Sequence, residues 1–204
     1  MKHTVVTSDN VKLTYNCIYK NNIKNSSIPL LLLHDINDSY DSFNSIHEEL
    51  ISDYNIIYFD YRILDTHELV SKSLINIYAQ DIITILDNLG ISNTNLISHG
   101  SAAQIACELS INHSAYVNAI ILEDFITVKT TNKHSLLKRI SNIKHPTLLL
   151  KASKSKLISA DENQETVMSN DFLKSASVEL VESHGHIHNP KVYLSQVNKF
   201  LSIF

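Results

Sequence analysis

Ser98-His99-Gly100-Ser101-Ala102 holds two hydroxyls and an imidazole around a glycine, between an apolar run (TNLI) and a small-residue segment (AAQIACELSI). A serine on such a turn can act as a nucleophile if a histidine takes its proton. Ser98 and Ser101 are the two candidates, and His99 reads as packing. Further on, His184-Gly185-His186-Ile187-His188 alternates its imidazoles as a strand would, three on one face, which invites a metal. No cysteine or carboxylate at ligand spacing accompanies them, so neither a metal nor another cofactor is expected. Cys17 and Cys107 are too few and too far apart for a disulfide framework or a zinc site. Buried free thiols in a reducing, cytoplasmic compartment are expected instead.

The elements that must position these groups are legible as alternating patterns. Thr4–Thr7 and Lys12–Tyr19 flank the polar Ser8-Asp9-Asn10 and read as a hairpin. Pro29–His34, Asn55–Asp60, Thr94–His99, Val117–Asp124, His145–Lys151 and Val178–Glu182 are short apolar runs, as in strands buried on both faces. Between them, helices are expected over Asp41–Ser52, Leu74–Leu89, Ser101–Ile111, Glu162–Lys174 and Pro190–Phe204. Gly90 closes the second as a left-handed cap, and Pro190 opens the last. The alternation predicts an α/β fold: a mostly parallel sheet with helices on both faces and an N-terminal hairpin, in one domain over residues 1–204.

Composition excludes several classes. The 204 residues include only 3 glycines and 3 prolines, against roughly 14 glycines at the usual 7%, so collagen-like and linker-like readings fail. A net charge of −4, with no basic stripe, argues against a nucleic-acid partner. No apolar run reaches the roughly 18 residues of a membrane span, and the N-terminus shows no signal-peptide core.

Six motifs in order resemble the α/β-hydrolase fold of esterases and lipases over nearly the whole chain. They are the apolar strand ending at His34, Asp60-Tyr61-Arg62, Leu89-Gly90-Ile91, the SHGSA turn, the PTLLL strand after His145, and Gly185-His186. The resemblance implies that the turn is a nucleophile elbow, small-x-nucleophile-x-small, with Ser98 and Ala102 as the small flanks. It implies that His186 is the base and that the loop after the PTLLL strand carries the acid. It implies an oxyanion site beside His34-Asp35, served by the Ser101 N–H.

The chemistry departs from the pattern at several points. Gly100 stands where the nucleophile belongs and offers no atom to attack with. Lys156 stands at or beside the acid position, where it would disfavour the imidazolium of acyl transfer; Asp124 and Asp161 are the substitute carboxylates. Asp35 replaces the glycine of the oxyanion loop, and Ile63-Leu64-Asp65 replaces a glycine-containing loop. The cap is reduced to residues 125–144, leaving a shallow site. The expected protein is therefore a catalytically impaired hydrolase-fold member binding a small ester- or acyl-like ligand or a partner, with a homodimer as one way to cover the pocket walls. The alternative is an esterase or thioesterase working through a displaced Ser101 or a water, with His186 as base and Asp124 as acid.

Overall fold

The computed structural model describes residues 2–19, 28–63, 72–124, 142–152, 178–183 and 189–204. Its eight-stranded sheet has the order β1-β2-β4-β3-β5-β6-β7-β8. The strands are β1 (Lys2–Val6), β2 (Lys12–Ile18), β3 (Leu30–Leu33), β4 (Ile56–Phe59), β5 (Thr94–His99), β6 (Val117–Glu123), β7 (Thr147–Ala152) and β8 (Val178–Ser183). β1 and β2 form the hairpin and β2 runs antiparallel to β4; every other pairing is parallel. The described helices are α1 (His47–Asp53), α2 (Lys72–Leu89), α3 (Ala103–Asn112) and α4 (Pro190–Leu201).

Strand periodicity decides which residue faces which layer. In β3, four consecutive leucines are all buried. Leu31 and Leu33 join the core under α2 and α3, while Leu30 and Leu32 join the core under α1 and α4. A sheet covered on both faces needs such runs, because alternate residues point to opposite sides.

The turns follow from local chemistry. Asn10 takes a left-handed backbone (φ 63°) in the hairpin, and the Asn10 N–H donates to the Thr7 carbonyl at 3.0 Å. α2 ends in a Schellman pattern: the Ile91 N–H donates to the Leu86 carbonyl and the Gly90 N–H to the Asp87 carbonyl, with Gly90 at φ 67°. At α4 the Asn189 side chain accepts from the Val192 N–H and Pro190 opens the helix.

Two expected helices are broken where the site lies. Asp41–Ser52 is a 3-10 turn, Tyr40–Phe43, followed by α1. Phe43 and Ile46 are buried three apart and Leu50 four further on, so the apolar spacing itself passes from the tighter to the wider helix. Ser101–Ile111 likewise begins as a 3-10 turn over Gly100–Ala102 before α3. The expected helix 162–174 lies outside the described residues. Little chain is available for a cap, since β6 ends at Glu123 and β7 begins at Thr147. No helix among the described residues is long and apolar enough to cross a membrane.

Candidate functional site

The site lies where β3, β4, β5 and β6 end together at the carboxyl edge of the sheet. β5 delivers the turn: His99 is its last residue, Gly100 follows with φ 60°, and the 3-10 turn feeds α3. The backbone therefore turns sharply between β5 and α3 through a left-handed residue. Glycine adopts that conformation without the steric cost that a side chain would meet.

The space beside Gly100 is filled by Asp35, from the loop after β3. A Cβ added at residue 100 would overlap Asp35 Oδ2 and lie 3.1 Å from its Cγ. The same Oδ2 accepts the Ser101 backbone N–H at 2.9 Å, and Oδ1 accepts the Asn37 N–H at 3.0 Å. The Ser101 N–H is the donor expected to face a developing oxyanion. Here it faces a carboxylate of the chain itself.

The Ser101 hydroxyl is tied into the same knot. Its Oγ accepts the Ile36 N–H at 3.1 Å, and the residue is buried. Ser98 is fully buried, and its hydroxyl donates to the Ile121 carbonyl of β6 at 3.3 Å. It is a strand residue satisfied by its neighbour.

The Asp60-Tyr61-Arg62 motif serves as scaffolding for this edge. Asp60 Oδ1 accepts the Tyr40 N–H at 3.1 Å and lies 3.5 Å from His34 Nε2. His34 Nδ1 meets the Asp35 carbonyl at 2.7 Å, which orients the loop that carries the Asp35 carboxylate. Tyr61 donates its hydroxyl to the His34 carbonyl at 3.1 Å and packs its ring on His34, centroids 4.5 Å apart. Burial above all, then the negative charge of Asp35, holds the Tyr61 phenol well above its ordinary pKa, so it stays a proton donor. Arg62 reaches away from the site. It bridges Asp9 of the hairpin turn and buried Asp81 of α2, and these partners raise its affinity for its proton. Ile63, next in the chain, is 95% exposed, so no packing demand explains its presence.

On the other side of the elbow, the parallel register of β5 and β6 places His99 opposite Glu123. Asp124 follows Glu123 with a left-handed backbone, φ 48°. One donor atom from each of His99, Glu123 and Asp124 lies within 4.8 Å of the others, and all three residues are buried. Thus His34, Asp35, Gly100 and Ser101 converge on one side, and His99 and Asp124 on the other. Glu123 was missed by sequence reasoning, because it reads as the polar end of a strand. Pairing it with His99 requires the strand register. His186, Lys156, Asp161, His184, His188, Leu64 and Asp65 lie outside the described residues.

No family model matches the sequence, and no curated protein matches it. Solved structures do match, over nearly the whole chain, and with the sheet and elbow they define an α/β-hydrolase fold. An esterase of Pyrococcus furiosus is 17% identical with a TM-score of 0.77, covering 100% of this chain and 92% of its own. The enol-lactonase of Burkholderia xenovorans is 12% identical with a TM-score of 0.75, covering 98% and 100%. A protein of Thermoplasma acidophilum described as a predicted CIB-like hydrolase is 15% identical with a TM-score of 0.74, covering 100% and 98%. The likeness is one of fold, and the neighbours are hydrolases by description.

Proposed function

We propose that this α/β-hydrolase-fold protein has given up serine-dependent ester hydrolysis and uses the site at its elbow to bind a small molecule. The observation that supports this best is the position of Asp35. Its carboxylate fills the space of a nucleophile side chain and takes the N–H that would stabilise an oxyanion. Negative charge developing there would meet a carboxylate where donors are needed. The Ser101 hydroxyl, held by the Ile36 N–H, is built into the same loop contact.

The test is a fluorophosphonate serine probe with mass-spectrometric site mapping, run beside turnover of p-nitrophenyl acetate and butyrate. The expected result is no labelled serine and a rate equal to that of His186→Ala. A rate well above that variant would overturn the reading. Labelling of Ser101, with the rate lost in Ser101→Ala, would establish the displaced-serine hydrolase instead.

A further inference from the structure

We propose that His99, Glu123 and Asp124 form a binding site for one divalent cation of the Zn2+ or Mn2+ type. The donors come from two neighbouring parallel strands, and their atoms lie within 4.8 Å of one another. They are 8%, 1% and 6% exposed.

The backbone explains how two successive carboxylates meet. In an extended strand, Glu123 and Asp124 would point to opposite faces. The left-handed conformation of Asp124 breaks that alternation and lets both carboxylates reach His99. Two like charges gathered in a buried place repel, and a dication balances both at once.

One imidazole nitrogen with carboxylate oxygens suits Zn2+ or Mn2+ better than Ca2+ or Mg2+, which prefer oxygen alone. Around a tetrahedral ion with bonds of about 2.1 Å, donors sit roughly 3.4 Å apart. The three need close by little more than about an ångström to reach that spacing, a movement within the range of side-chain torsions. Such an ion would tie the elbow strand to β6. It does not depend on whether serine chemistry is lost.

The experiment uses the full chain, stripped with chelator and titrated with ZnCl2 or MnCl2 by calorimetry. One cation per chain is expected, with a Tm that rises with free cation. Glu123→Gln and His99→Gln should each weaken binding about a hundredfold; Glu49→Gln, on the exposed side of α1, should leave it unchanged. Co2+ loading should give a visible spectrum without thiolate charge-transfer bands, excluding Cys17 and Cys107 as ligands. If the variants fold poorly, Mn2+ broadening of the His99 ring resonances in the wild-type protein provides the test. No heat and no Tm shift with either cation would overturn the proposal. So would affinity unchanged in Glu123→Gln, or His99 resonances that Mn2+ leaves sharp. Each would mean that the three groups satisfy one another within the chain.

Discussion

Replacing Gly100 by serine tests whether Asp35 and a side chain at residue 100 exclude each other. Two costs add in Gly100→Ser. The left-handed backbone at φ 60° costs a side chain about 1–2 kcal/mol. The new Cβ would also overlap Asp35 Oδ2, so the carboxylate must withdraw from the Ser101 N–H. Losing a hydrogen bond to a charged group costs about 1.5–3 kcal/mol. The single variant should therefore lose about 2.5–5 kcal/mol of stability by adding those two terms.

Asp35→Ala removes the same acceptor and should cost about 1.5–3 kcal/mol alone. Its Cβ stays in ordinary contact range, because that atom lies 3.4 Å from the added Cβ. In the double variant the lost hydrogen bond is counted once, so the total should stay at about 2.5–5 kcal/mol and show a coupling of about 1.5–3 kcal/mol. Urea unfolding reads this as shifts of the midpoint at constant slope. Additive losses, or a Gly100→Ser loss under about 1 kcal/mol, would refute the mutual exclusion and with it the reading of Asp35 as the occupant of the nucleophile space.

Three further outcomes are expected. Asp81→Ala takes from Arg62 its buried carboxylate and leaves it the exposed Asp9; urea unfolding should show a loss of about 1.5–3 kcal/mol, and a loss under about 1 kcal/mol would mean that the pair behaves as a surface contact. Both cysteines are buried and burial pushes the Cys17 thiol up, so iodoacetamide should modify neither in the native protein and both in denaturant. Rapid native alkylation of either would contradict this placement. Burial lowers the pKa of His145 against the opposing pull of the Ser114 carbonyl. Its contribution to stability is thus present above the unfolded value of about 6.5 and is lost as pH falls from there toward the folded value. His145→Gln should flatten that part of the stability profile, and an unchanged slope would exclude His145 as its source.

The sheet was legible in the sequence because strands buried on both faces cannot hide their apolar runs. Leu30–Leu33 and Leu148–Leu150 are such runs, and all of these leucines are buried. Gly90 was legible for a local reason, since a helix cap needs its left-handed backbone. The site was legible only in part, because its contacts are long-range. The sequence places Asp35 beside the oxyanion loop as a source of repulsion. It cannot say that the carboxylate crosses 66 residues of chain to accept the Ser101 N–H. Glu123 was invisible for the same kind of reason, since its neighbour across the sheet is fixed by register rather than by spacing.

That long-range contact changes what the departures at Gly100 and Asp35 mean together. In the sequence they are two separate losses, a missing nucleophile and a missing oxyanion glycine, as independent decay would produce. In the structure they are one exchange. The Asp35 carboxylate sits where a Cβ of residue 100 would lie, so a serine there forces it off the Ser101 N–H. A change at either position alone would create an overlap or leave the Ser101 N–H without this acceptor. Because the N–H is buried in a residue at the start of the turn, leaving it unsatisfied carries a cost of its own. The pair is therefore coupled by a physical constraint independent of catalysis: a side chain at residue 100 and the Asp35–Ser101 contact have to change together.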